Sequence, residues 1–436
     1  MRLKDLLGID YLLLLAAVTL SIFGILFIYS SGIVSTGMSA STEYIRQIIW
    51  ASAGLILAVV LALINYRRLY DISIYLYLGT LGLLVFTCIF GRQVNGARAW
   101  LGIGSFGVQP SEFAKITTIL FLARYLEATK RSPNVFTRFV LSCVIVLFPM
   151  GVILIQPDFG TSLVFIPILL VMTFVAGLSA RYVAFLGVCI GLTGVLMVLP
   201  LWQSYILKDA LPSLDILMNL RFVGVSVAAL SAVLAIAIFG YLRFKKQYFH
   251  WIAYGASIMI FSLGASFMSH KVLKDYQIMR LIVFLDPNVD PRGSGWNIIQ
   301  SITAIGSGGL WGKGYLQGTQ SHYRFLPQQS TDFIFSIFSE EWGLMGGILV
   351  FGLFLLIGLR LIRIMKASTD TYGSYITAGL SAMYIFHFLI NVGMTMGIMP
   401  ITGIPLLFMS YGGSALISAM AGIGLALSIY MRRYQR

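Results

Sequence analysis

Apolar runs of about twenty residues recur along this chain, and no other feature limits its fold as strongly. They lie near 11–30, 48–65, 72–90, 112–127, 136–155, 162–178, 182–201, 222–241, 250–268, 332–359, 374–397 and 403–431. A run of that length, wound as a helix, crosses a hydrocarbon layer about 30 Å thick. No backbone N–H or C=O can be left unpaired there, so each run is expected to be helical. A β-barrel would read as short alternating segments instead. The expectation is an all-α polytopic membrane protein with twelve transmembrane helices. The fourth and sixth runs are short, and the last is long enough to bend at Gly412 and Gly413. The first follows Arg2 and Lys4 and is read as an uncleaved span rather than a signal peptide. Charged residues make up 11% of the chain, well under the roughly 25% of soluble domains.

The net charge of +14 raises the question of nucleic acid, and the placement of the charges answers it. With twelve spans both termini share a side. That side collects eighteen of the thirty basic residues, among them Arg67, Arg68, Arg124, Lys130, Arg131, Lys245, Lys246, Arg432 and Arg433. The opposite short loops carry five: Arg46, Arg92, Arg98, Lys208 and Arg221. This bias predicts cytoplasmic termini and accounts for most of the charge as topology. Anionic membrane lipids fit as partners; nucleic acid does not. The three cysteines sit inside apolar runs without paired spacing, and the four histidines are scattered, so neither a disulfide frame nor a His-built metal centre is expected. One large extracytoplasmic loop remains, near 269–331, with aromatic residues and glycines rather than a disordered composition.

Four polar clusters interrupt the apolar background. In "NGARAWLGIGSFGVQPSEFAK", Pro110 opens a helix and places Glu112 and Lys115 three residues apart on one face, where they can pair. Ionisable groups at membrane depth are functional candidates, although a cap plus a buried ion pair explains them as well. In "IQPDFGTS", Asp158 can cap the next helix. The third cluster contains "FLDPNVDPRGSGWNIIQS", then "AIGSGGLWGKG" and "LPQQSTDFIFSIFSEEWG". Asp286-Pro287 and Asp290-Pro291 each resemble a helix start, yet Pro291 cannot lie inside a helix begun at Pro287, so the chain must turn between them. One aspartate is then a cap and the other faces a cavity; the pattern does not say which. The fourth is "NVGMTMGIMPITGIPLLFMSYGGSA", whose glycines suit close helix packing or a broken helix. There is no Walker motif, no GxGxxG nucleotide fold and no nucleophile elbow.

Taken together, NGARAW, QPSEFAK, QPDFGTS, DPRGSGW, TAIGSGGLWGKG, TDFIFS, EEWG and SYGGSA resemble, in order and over most of the chain, the RodA/FtsW/SpoVE (SEDS) family of bacterial cell-wall synthesis. The stretch "AIGSGGLWGKGYLQGTQ" is closer to the RodA, elongation branch than to the FtsW, division branch. The resemblance implies a peptidoglycan glycosyltransferase that polymerises lipid II into glycan strands at the outer face of the bacterial cytoplasmic membrane. It implies work alongside a class B penicillin-binding protein, a transpeptidase, within the elongation machinery. It also implies that Asp290, not Asp286, is the essential acid.

The chemistry fits one carboxylate. The nucleophile is a weak sugar hydroxyl that needs a base, whereas polyprenyl pyrophosphate leaves without an acid. Cations should face the pyrophosphate, and Lys115, Arg98, Arg280 and Lys313 are the candidates. Glu112, Trp100, Asp158, Gln300, Asp332 and Ser410 are nominated as substrate-binding or supporting. The sequence singles out no cofactor, and a divalent cation, Mg or Mn, riding on the pyrophosphate is left open. The family is described with ten spans, so residues 202–249 are expected to hold part of an inserted pair. Gln328 and Trp296 depart from the family's usual Glu and Tyr. The rival readings are a lipid II flippase, which needs charges nearer the membrane midplane, a division-type polymerase, and a non-catalytic scaffold.

Overall fold

In the computed structural model the described residues are 8–33, 41–94, 96–103, 106–207, 216–273 and 275–434. Ten of the helices among them are long and apolar enough to cross a membrane: Tyr11–Ser31, Glu43–Leu63, Arg68–Phe90, Val135–Ile155, Ala180–Ile206, Leu220–Phe244, Gln247–Lys271, Ile334–Ala367, Thr371–Thr395 and Gly413–Met431. The protein is a polytopic helical membrane protein. Two of the twelve expected runs, the fourth and the sixth, fall outside that set of ten. The Pro110–Ala128 helix is long enough but carries Glu112, Lys115, Arg124 and Glu127. The sixth run is broken at Val164 into Phe159–Leu163 and Phe165–Val175. The twelfth run also begins later than its apolar stretch: residues 401–412 are non-helical, and the helix starts at Gly413.

All-α needs one amendment. Residues 92–108 form three short antiparallel strands, Arg92–Val94, Ala97–Ile103 and Phe106–Val108. Gly96, at φ 85°, lies in the first turn, and its neighbour Asn95 lies outside the described residues. The sheet delivers the chain to Pro110, which takes the first helical position, where its missing N–H costs nothing.

The chain divides into two compact units, 1–178 with 300–436, and 179–299. The first is built around Gly413–Met431 and Thr371–Thr395, its two most buried spans. Gly424 lets the former lie directly on the backbone of Ala58, where any side chain would collide. Asp10 caps the first helix and pairs with Arg360 at 2.7 Å, tying its start to the Ile334–Ala367 helix. The second unit packs Ala180–Trp202 and Leu220–Phe244 against Gln247–Val272. Its helices keep exposed apolar faces, such as Val225, Ile236 and Phe239, as a surface against lipid does. Within 202–249 the chain forms a π turn at Gln203–Leu207, a 3₁₀ turn at Ile216–Met218 and the Leu220–Phe244 helix; Lys208 lies outside the described residues. The stretch 269–331 holds helices Asp275–Leu285, Ser294–Ser307 and Thr319–His322.

Candidate active site

In the second unit, the paired Asp-Pro steps resolve into different roles. Asp286 caps the 3₁₀ turn Pro287–Val289, and its carboxylate accepts the Asn288 N–H at 2.9 Å and the Asn288 amide at 3.0 Å. Asp290 ends that turn. Its carbonyl accepts the N–H groups of Gly293 at 3.3 Å and Gly295 at 3.0 Å, reversing the chain into the Ser294–Ser307 helix. Its carboxylate lies against the bare Cα of Gly293, where a side chain would collide with it. A side chain at Gly295 would strike the carbonyls of Pro287 and Asp290. The glycines of "DPRGSGW" thus let the turn close around Asp290. Arg280 is half-buried in the preceding Asp275–Leu285 helix. Gln300 sits, also half-buried, in the Ser294–Ser307 helix just beyond the division between the units.

In the first unit, Glu112 and Lys115 form the ion pair their spacing predicts, at 2.9 Å, with Glu112 2% and Lys115 0% exposed. Lys115 Nζ also lies 3.0 Å from His387 Nε2, and His387 Nδ1 lies 3.1 Å from the Pro405 carbonyl. Ser418 Oγ donates to Glu112 at 3.4 Å. Asp158 joins this cluster through Gln109, whose amide donates to it at 2.7 Å. Asp158 also caps its helix, accepting from the Thr161 N–H at 3.2 Å and hydroxyl at 2.8 Å. Burial pushes the Asp158 carboxyl up; the Thr161 hydrogen bonds oppose this, Glu112 adds to it and Lys115 opposes it. The structure therefore brings Glu112, Lys115 and Asp158 together.

Lys313 belongs to another cluster. The Ile334–Ala367 helix breaks at Gly343, at φ 62° and ψ −159°. The break frees the carbonyls of Glu340 and Glu341 and the N–H groups of Leu344 and Met345. The glycine-rich stretch after residue 307 takes all four: Lys313 N–H to Glu340 at 3.0 Å, Gly314 N–H to Glu341 at 2.9 Å, Leu344 N–H to Gly309 at 2.9 Å and Met345 N–H to Leu310 at 3.2 Å. The Glu340 carboxylate then accepts Lys313 Nζ at 2.7 Å and the N–H groups of Thr319 and Gln320. Glu341 accepts the Leu316 N–H at 3.0 Å and the Ser30 hydroxyl. Lys313 is thus engaged by a carboxylate on a neighbouring element.

Asp332 and Ser410 lie along one seam. Asn391 donates to the carbonyls of Asp332 at 3.0 Å and Ile404 at 2.8 Å. Ser410 Oγ accepts the Leu406 N–H at 2.9 Å, and Tyr411 N–H reaches Ser330 at 2.8 Å. The Arg98 side chain is exposed on the middle strand, and its backbone N–H reaches the Gln156 carbonyl at 3.3 Å. Trp100, on the same strand, packs its ring on Gly107. Among the described residues no group of three or more His, Cys, Asp or Glu could hold a metal ion.

Sequence reasoning missed His387, Glu340 and Glu341 as participants. The adjacent acids stood inside an apolar run, which was a usable signal. His387 gave none, because its partner lies 272 residues away.

Fold and buried polar clusters together define a multi-pass membrane protein with ionisable groups inside its helical body. The chain belongs to the FtsW/RodA/SpoVE family of cell cycle proteins, whose profile matches residues 10–219 and 211–435. It is 51% identical to the peptidoglycan glycosyltransferase RodA of Treponema pallidum, over 99% of this chain and 100% of that protein. It is 33% identical to the peptidoglycan glycosyltransferase MrdB of Escherichia coli K12, over 98% of this chain and 95% of that one. Among solved structures, one described as structural coordination of polymerization and crosslinking by a peptidoglycan synthase complex superposes with a TM-score of 0.68 at 26% identity, covering 98% of this chain and 99% of that one. The rod shape determining protein RodA of Thermus thermophilus matches with a TM-score of 0.61 at 24% identity, over 98% of each chain, and shares the fold.

Proposed function

We propose that this chain is a peptidoglycan glycosyltransferase of the elongation type, polymerising lipid II at the outer face of the bacterial cytoplasmic membrane. The observation that carries the reading is the full-length 51% identity to a peptidoglycan glycosyltransferase RodA. Both termini are placed in the cytoplasm by the basic-residue bias. That puts the 269–331 stretch, with Asp290, on the outer side.

In the reaction, the Asp290 carboxylate takes the proton of an acceptor sugar hydroxyl as its oxygen bonds to the anomeric carbon of the donor. The bond from that carbon to the polyprenyl pyrophosphate breaks, the pyrophosphate leaves with the electron pair, and the donor centre inverts. Base assistance of this kind contributes about 10²–10⁴-fold. The reading is supported by the division of labour in the paired Asp-Pro steps, since Asp286 is a cap. Lys115 is proposed to meet the pyrophosphate. Arg98 and Arg280 are further candidate cations, and Lys313 is assigned instead to holding the broken helix. Any divalent ion would arrive with the pyrophosphate, and no step is routed through it.

The partner is a class B penicillin-binding protein, in keeping with the synthase complex that this chain resembles. The test separates polymerase from flippase: purified protein is given labelled lipid II in detergent, where there is no second leaflet. Glycan ladders are expected. Absence of polymer from monodisperse protein, with or without the partner, together with lipid II translocation in proteoliposomes, would overturn the reading.

A further inference from the structure

We propose that the outer end of the first unit holds a site for a peptide with both a free amine and a free carboxylate, the chemistry of an uncrosslinked wall peptide. The inference rests on the glycosyltransferase reading for its side of the membrane. A cavity of about 400 Å³ opens between the end of the Tyr11–Ser31 helix, the start of the Glu43–Leu63 helix and residues 324–330. Small-molecule sites run to roughly 300–1,000 Å³. The described residues that line it all belong to the first unit, so the site needs nothing from 179–299.

The cavity gathers one group of each charge. Glu43 stands half-buried in the first turn of its helix, and Arg324 is exposed on the 324–330 wall. Neither side chain enters an ion pair or a hydrogen bond among the described residues, with the other or elsewhere. A ligand with charges of both signs matches them: its amine goes to Glu43, and its carboxylate to the planar fork of Arg324. A simple anion would be repelled by Glu43, and a simple cation by Arg324. Leu326, 3% exposed, and Pro327 give the wall an apolar portion suited to small side chains. Gln328 and Ser330 add amide and hydroxyl groups for peptide bonds.

The wall is held in shape before any ligand arrives. Arg324 and Gln328 both lie at φ 53°, a left-handed conformation that L residues adopt at a cost. Local hydrogen bonds impose it. Phe325 N–H reaches the Gln320 carbonyl at 3.2 Å, and the Gln328 carbonyl accepts the N–H groups of Thr331 at 3.3 Å, Asp332 at 3.1 Å and Phe333 at 3.4 Å. Gln329 donates its amide to the Ser31 carbonyl at 2.5 Å, tying the wall to the first helix. The Ser41 hydroxyl accepts the Glu43 N–H at 3.1 Å, fixing the start of the second. A preformed wall lowers the ordering cost of binding.

The experiment titrates purified full chain with Nα-acetyl-L-lysyl-D-alanyl-D-alanine, which has one free amine and one free carboxylate, and follows binding by NMR. The same peptide with its amine acetylated, and with its carboxyl amidated, is run beside it on wild type, Glu43→Gln and Arg324→Gln. On wild type each cap is expected to raise Kd about fivefold, the scale of a water-exposed ion pair. In Glu43→Gln the acetylated and free peptides bind alike, and amidation keeps its effect; in Arg324→Gln the pattern is reversed. Wild type that binds all three peptides alike, or none, overturns the proposal, and so do variants in which both caps keep their full effect. If a variant does not purify, the capped peptides on wild type still decide. Displacement of the tripeptide by an equal concentration of glycerophosphoethanolamine assigns the cavity to a lipid headgroup and overturns it too. Wild type that polymerises lipid II without binding the tripeptide fails this inference alone. Matched binding without polymer fails the glycosyltransferase reading and leaves the site standing.

Discussion

Single side chains carry most of the chemistry, and neighbours of the same type do different work. Asp286 and Asp290 are four residues apart, yet one accepts the N–H of the turn it opens and the other ends that turn against Gly293. Asp286→Asn keeps a capping side chain and is expected to change polymerisation less than about threefold. Steady-state rates for the two asparagine variants, side by side, check this; equal losses would contradict the division of roles. The Glu112–Lys115 pair makes a different prediction, one of stability. Removing either partner alone leaves a buried charge and is expected to cost about 3–5 kcal/mol, whereas Glu112→Leu/Lys115→Leu together should be milder than either single change. Unfolding midpoints in detergent check the ordering. The pair was legible in the sequence from its spacing alone. The third member of the group, His387, was not, because nothing local distinguishes a histidine that meets a lysine across the fold from one that merely fills space.

At the scale of elements, the broken Ile334–Ala367 helix explains a motif that the sequence leaves unexplained. "GSGGLWGKG" is glycine-rich because it lies backbone to backbone against the break, with Gly312 meeting the Glu341 carbonyl and Gly343 meeting Leu310 and Gly312. Gly343→Ala would place a side chain at positive φ and into that contact. A loss of at least about 1 kcal/mol is expected, seen as a lower unfolding midpoint, while Gly352→Ala in open space on the same helix should raise or leave the midpoint. The helices themselves were legible from apolar run length, which physics sets through bilayer thickness. Helix ends were less so: the last apolar run continues through 403–412, but the chain there is held by Asn391, Ser410 and Gln47 rather than by its own helical hydrogen bonds. The three strands at 92–108 were missed because strands of three to seven residues leave too little periodicity to read.

Across the whole molecule, the described residues form ten long apolar helices, two shorter or more charged ones, and a stretch at 269–331 that is partly helical. Cysteines introduced at Trp311 and at Lys130 test its topology. Trp311, highly exposed, should label with an impermeant reagent in intact cells, and Lys130→Cys should not. The reverse pattern would put Asp290 on the wrong side for an external glycan. The central claim is that Asp290 is the base of a lipid II polymerase. The most direct measurement is a gel assay of labelled lipid II with wild type and Asp290→Asn, each with and without a cognate class B penicillin-binding protein whose transpeptidase is blocked. The account predicts a glycan ladder from wild type and a rate at least about 100-fold lower from a folded, partner-binding Asp290→Asn. A ladder of equal intensity from the variant would contradict it.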